Sequence, residues 1–134
     1  MYIHRRMGEK MMERIQTEQA PAAVGPYSQA IVSDKWVFTS GQLGSDEKGK
    51  FPLDISSQTE NAIRHLQAIL REAASDLSKV VKITCYLADI ADFSAFNEVY
   101  GRFFTEKPAR SLIQAAALPK GSLVEIEAIA EREV

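Results

Sequence analysis

Three charged side chains near the end of the chain carry the chemistry that this sequence offers. Arg110 opens the apolar run Ser111-Leu112-Ile113-Gln114-Ala115-Ala116-Ala117, directly after Pro108-Ala109. A guanidinium at a strand mouth among small residues can present its rigid fork to a carboxylate; on an ordinary surface the same group would pair with a nearby acid. Glu125 and Glu127 alternate with Val124, Ile126 and Ala128, so the two acids project from one sheet face and the apolar residues from the other. A carboxylate placed this way can act as a general base if its surroundings tune its pKa, or it can belong to a solvated sheet face. Tyr27, after Gly25-Pro26, is either a loop aromatic lining a pocket or a core anchor. Ser40 either donates a hydrogen bond or ends a strand, and Asn97 either bonds local backbone or reaches a subunit contact.

Exclusion narrows the chemistry further. The histidines are His4 and His65 and the cysteine is Cys85, which is too few ligands for a zinc set and offers no Ser-His-Asp or Cys-His arrangement. No phosphate loop or GxGxxG is present, so nucleotide cofactors have no support. Cys85 stands in the β-branched run Val80-Val81-Lys82-Ile83-Thr84-Cys85; a buried structural thiol is expected there, since a reactive thiolate needs an electropositive setting. A lone cysteine also suits a reducing, cytoplasmic compartment. The net charge of −2 and pI near 5.7 give no basic face for nucleic acid. No segment approaches the ~20 apolar residues of a membrane helix, and no apolar h-region follows the basic N-terminus, so neither a membrane span nor a signal peptide is expected.

The elements that must position these residues follow from patterning. With 134 residues, 46% of them apolar, the chain is of ordinary single-domain size. Residues 1–11 read as a flexible extension and residues 12–134 as one domain. Pro21, Gly25 and Pro26 forbid a helix and fix a structured loop. Ala30–Val32 and Trp36–Thr39 read as a hairpin. Ser57-Gln58-Thr59-Glu60 fits a capping box, followed by the stripe Ala62, Ile63, Leu66, Ile69, Leu70 and Ala73. Val80–Leu87 reads as a strand with Val81, Ile83, Cys85 and Leu87 on one face. Asp92 is a candidate cap for a second helix with the stripe Phe93, Phe96, Val99, Tyr100 and Phe103. Strands over Ser111–Ala117 and Leu123–Ala130 close the chain. This order predicts an α/β (α+β) domain with two helices on one face of a mixed sheet.

Taken together, the motifs carry a resemblance. Pro108-Ala109-Arg110-Ser111, Leu118-Pro119-Lys120 and Val124-Glu125-Ile126-Glu127-Ala128 closely resemble the signature of the RidA/YjgF family, and Ala20-Pro21-Ala22-Ala23-Val24-Gly25-Pro26-Tyr27-Ser28-Gln29-Ala30 resembles its N-terminal motif. Ser40-Gly41-Gln42 and the stretch from Asp92-Phe93 through Asn97 and Tyr100 match in order and context. The likeness extends over residues 14–132. It implies a chorismate-mutase-like fold in a barrel-like homotrimer, with ligand clefts between subunits. It implies a deaminase that hydrolyses 2-aminoacrylate and 2-iminopropanoate type intermediates to 2-keto acids and ammonia, with neither metal nor organic cofactor. By resemblance, Arg110 holds the substrate carboxylate and Glu125 positions or activates water. Tyr27 lines the pocket, Ser40 assists, and Asn97 shapes the cleft from the neighbouring chain. Leu112 stands where many members carry cysteine; its backbone carbonyl can still accept a bond from the substrate nitrogen or water, so activity is expected to survive with a changed substrate preference. The competing expectation is a trimer that binds keto acids without turnover, as would follow if Leu112 blocked the water. RNA cleavage ranks last, because neither a His pair nor a basic stripe is available.

Overall fold

The computed structural model describes residues 4–7 and 10–133. Its strands are β1 (His4–Met7), β2 (Lys10–Ile15), β3 (Ala30–Ser33), β4 (Trp36–Thr39), β5 (Gln42–Leu43), β6 (Val80–Leu87), β7 (Ala109–Gln114) and β8 (Val124–Glu131), with helices α1 (Ile55–Glu72) and α2 (Phe93–Phe103) between them. They form one mixed sheet in the order β1-β2-β3-β4-β8-β6-β7, with β5 also paired to β8. Among the described strands only β6 and β7 run parallel, and the intervening helix α2 supplies the long crossover that a parallel return needs. The extension expected over residues 1–11 lies partly outside the described residues. Where it is described, β1 pairs antiparallel with β2, and β2 continues the sheet onto β3.

Both helices pack on one sheet face, as the stripes predict. Ala62, Ile63, Leu66, Ile69 and Leu70 of α1 are wholly buried, against Ile83, Cys85, Leu87, Val124 and Ile126 of the sheet. Each such aliphatic side chain contributes roughly 1.5–3 kcal/mol by leaving water, so this layer fixes the sheet that carries the site. Among the described residues no helix is long and apolar enough to cross a membrane.

Three local expectations change. Helix α1 begins earlier than the Ser57–Glu60 box, because Asp54 is its N-cap and its carboxylate accepts from the Ser57 N–H at 2.8 Å. Asp92 precedes α2 but makes no side-chain cap bond; Asp89 instead accepts from the Ala91 N–H in the short 3-10 turn before it. Val81 does not join Ile83, Cys85 and Leu87 on the buried face. A bulge between Val80 and Lys82 shifts the register, so Val80 points inward and Val81 is exposed.

Candidate functional site

Pairing across the ladders decides which site residues share a face. On β8, Glu125 stands opposite Tyr86 and Glu127 opposite Thr84, while Ile126 and Ala128 face Cys85 and Ile83. On β7, Arg110 is in register with Ile83 and Leu112 with Cys85. Since paired residues point to the same side, Arg110 and Leu112 lie on the helix face and Glu125 on the open face. Arg110 and Glu125 are therefore on opposite sides of one sheet.

The Arg110 side is built by α2. Its Nη1 donates to Asn97 Oδ1 at 2.7 Å, and its guanidinium lies over the rings of Tyr100 at 4.7 Å and Phe93 at 5.8 Å from the centroids. Asn97, Tyr100 and Phe93 are separated by three or four residues on α2 and so share one face of that helix. Among the described residues no carboxylate forms a salt bridge with Arg110, so the reading of an ordinary surface ion pair does not hold. Its partners are a neutral amide and two π faces, which orient the fork without neutralising it. Leu112 packs against the core cluster beside Cys85. Cys85 is buried, and that burial pushes its thiol up to about 12 even though Arg110 opposes the shift. It is an inert core thiol, as its neighbours predict.

The Glu125 side is a cavity of about 590 Å³ whose lining includes Tyr27, Ser40, Gly41, Phe51, Lys120 and Glu125. Burial first, and then the negative charge of Glu127, raise the Glu125 pKa above the ordinary glutamate value. Glu127 itself accepts from the Tyr86 hydroxyl at 3.0 Å. Tyr27 is half exposed at the rim, on a loop tied down by Gln29, whose Oε1 accepts from the Thr17 N–H and whose Nε2 donates to Thr17 and Pro21 carbonyls. The Ser40 hydroxyl donates to the Ser28 carbonyl at 2.5 Å, so its proton is spent on the loop and its oxygen is left as an acceptor. A second cavity of about 540 Å³ lies between α1 and the same loop. Its main groups serve the fold: Asp46 accepts from the Lys48 and Lys50 N–H groups, Arg64 pairs with Glu60, and His65 Nδ1 meets the Leu43 carbonyl at 3.0 Å.

The structure thus sorts the candidate residues into two sets. Tyr27, Ser40 and Glu125 share the open-face cavity, while Arg110, Asn97 and Leu112 share the other side. Asn97 stands with Arg110 in the same chain. Sequence reasoning missed Tyr100 as the cover of Arg110, although its position three residues after Asn97 carried that signal. It gave no site role to Gly41 and Lys120 on the cavity wall, although both stand in the motifs Ser40-Gly41-Gln42 and Leu118-Pro119-Lys120.

Comparison with known proteins agrees with this architecture. Residues 17–132 match the family described as Endoribonuclease L-PSP. The chain is 50% identical over 119 residues to a 2-iminobutanoate/2-iminopropanoate deaminase of Capra hircus, covering 87% of each protein. It is 48% identical over 124 residues to a RutC family protein of Pyrococcus abyssi, covering 90% of this chain and 98% of that one. The crystal structure of E. coli TdcF with bound serine superposes with a TM-score of 0.86 at 39% identity, over 90% of this chain and 98% of that one. With the family's motifs present in order and its fold reproduced, the chain belongs to the endoribonuclease L-PSP family, the RidA/YjgF family.

Proposed function

We propose that the protein is an enamine/imine deaminase that converts 2-aminoacrylate and its 2-imino tautomer to a 2-keto acid and ammonia, working between two copies of the chain. The observation that carries this reading is Arg110: an oriented cation with no carboxylate partner among the described residues, in a protein half identical to an imine deaminase. A 2-imino acid brings the missing carboxylate. Its iminium carbon is already electrophilic, so water needs placement and a proton acceptor more than an activating metal.

Glu125 supplies the acceptor. As water oxygen bonds to the imine carbon, the Glu125 carboxylate takes the water proton, and the C=N bond becomes a C–N single bond. The protonated Glu125 then returns the proton to nitrogen, the C–N bond breaks, and ammonia leaves as the hydroxyl O–H gives its proton back to the Glu125 carboxylate and the carbonyl forms. A pKa raised by burial and by Glu127 brings this carboxyl closer to the neutral range where one group can do both jobs. Tyr27 and Ser40 line the cavity around it. The resident serine of the TdcF structure is a small α-amino carboxylate of the same class.

Because Arg110 and Glu125 occupy opposite faces, one substrate meets both only if the Arg110 side of one copy abuts the Glu125 side of another. Contact between two different patches is heterologous, and such contacts close into a ring when the rotation between copies closes, as in a homotrimer. The open face has apolar surface for such a contact: on the Glu125 side, Ile31, Phe38 and Ile129 pair across β3, β4 and β8, and Tyr86 pairs with Ile113 across β6 and β7, with Phe38 and Ile113 44% and 54% exposed. RNA cleavage, which the family name carries, is disfavoured: His65 is tied to Leu43, and the charged side chains lining the cavity are one lysine and one glutamate.

The test is to generate 2-aminoacrylate in situ with a serine or cysteine lyase and follow loss of the imine absorbance. Faster loss with this protein, abolished in Arg110→Ala, is the expected result. No acceleration, with a 2-keto acid still bound by the oligomer, would replace the deaminase by a metabolite-binding protein.

A further inference from the structure

We infer that Gly41 is a positioning residue, whose missing side chain creates the berth in which the Glu125 carboxylate lies against the cavity wall. Gly41 sits between β4 and β5, one residue before Gln42, and β5 pairs with β8 so that Leu43 stands opposite Glu125. A Cβ built on Gly41 would fall 2.8 Å from Glu125 Cδ and 2.9 Å from Cγ, and closer still to the carboxylate oxygen. All of these are well inside ordinary contact. The backbone gives no other reason for glycine here, because Gly41 is not among the residues with positive φ, unlike Gly25, Gly49 and Gly121.

The atoms met are the far end of a flexible side chain, so a methyl at 41 displaces the carboxylate and leaves the fold alone. Gly44, three residues on, makes the contrast. A Cβ there would meet the backbone of Gln58 in α1, at 2.6 Å from its Cα, and α1 would have to move. One glycine admits a helix, and the other admits a carboxylate.

The consequence is chemical. Glu125 faces Glu127 from its own strand and Tyr86 from β6, with Tyr27 and Lys120 on the same cavity wall; β5 contributes only Gln42 and Leu43. Burial is the larger cause of its raised pKa, and Glu127 the smaller. Pushed toward solvent, the carboxyl loses the larger cause and titrates closer to the ordinary glutamate value. In Gly41→Ala the acid limb of the kcat/KM profile therefore moves to lower pH. kcat falls by about 10–100-fold, the usual cost of misplacing a reacting group by an ångström, while KM, set by Arg110, changes little.

This inference rests on the base assigned to Glu125 above, and the experiment separates the two. Wild type, Gly41→Ala, Glu125→Asp and Gly41→Ala/Glu125→Asp are compared by pH-dependent kinetics, and the Glu125 carboxyl is titrated by 13C NMR in the wild type and Gly41→Ala. The shorter aspartate fits beneath the added methyl, so the double variant is expected to be at least as active as Gly41→Ala, although Glu125→Asp alone is impaired. A lowered carboxyl pKa in Gly41→Ala supports the berth even if the wild type hydrolyses no imine, in which case the deaminase reading alone fails. An unchanged carboxyl titration in Gly41→Ala, or strictly additive losses in the double variant, overturns the inference.

Discussion

The two faces of the sheet hold charge in opposite ways. On the helix face the positive charge of Arg110 is left uncompensated by its partners, which are neutral: the Asn97 amide and the rings of Tyr100 and Phe93. On the open face Glu125 is drawn toward protonation by burial and by the neighbouring Glu127. Had the two met within one chain, they would form an ion pair, and a substrate would have to break it before using either. Separation by the thickness of a sheet leaves the cation free for a carboxylate and the acid free to exchange protons. The difference teaches that a site can be kept chemically open by topology, here by the even and odd positions of adjacent strands.

The sharpest way to break this comparison is to delete the cation. Arg110→Ala is expected to lower kcat/KM by about a thousandfold, the scale of a lost charge-assisted contact of a few kcal/mol, with a raised KM in steady-state assays. Glu125→Gln is expected to lower kcat by about 10²-fold or more, the range of a general acid–base group, while a 2-keto acid still binds. A product-binding titration distinguishes the two faces, since only the arginine variant should lose affinity. Tyr100→Leu is expected to raise KM by about tenfold as the π face under Arg110 disappears. Tyr100→Phe keeps the ring. Its hydroxyl is buried with no hydrogen-bond partner, so its removal should leave KM unchanged and leave stability equal or slightly higher in denaturant melts.

The smallest effect concerns stability against pH. Because the folded state raises the Glu125 pKa, it binds the proton more tightly than the unfolded chain does. The ionised carboxylate is thus mildly destabilising, and stability falls as pH rises from the ordinary glutamate range through the raised value. Glu125→Gln is expected to raise Tm at neutral pH by on the order of a degree or two, and the advantage should vanish below the ordinary glutamate pKa.

Much of this arrangement was legible in the residues themselves. Alternation along Val124–Ala128 put Glu125 and Glu127 on one face, and the burial pattern of β8 follows it residue by residue. The stripe of α1 and the limits of β6 were equally readable, because burial on one side imposes a period. Val81 was not, since a bulge depends on pairing with β8 and leaves no mark in a run of β-branched residues. The true cap of α1 was obscured because Asp54 and Ser57 both satisfy the chemistry of a cap, and the chain uses the earlier one. The division of the site was the least accessible. It follows from the register of β7 on β6 and of β6 on β8, two long-range pairings that no local pattern encodes. Gly41 escaped for a related reason: its neighbour Glu125 is distant in sequence and is brought close only by β5.

The central claim, that one site is assembled from the two faces of different copies, is tested most directly by complementation. Arg110→Ala and Glu125→Gln proteins, each strongly impaired alone, are unfolded together in equal amounts, refolded and assayed for imine hydrolysis. A site built from two chains predicts recovery of about a quarter of the wild-type activity, since random assembly joins an intact arginine to an intact glutamate in about one contact in four of a heterologous ring. A refolded mixture no more active than its separately refolded components would contradict the claim and return both residues to a single chain.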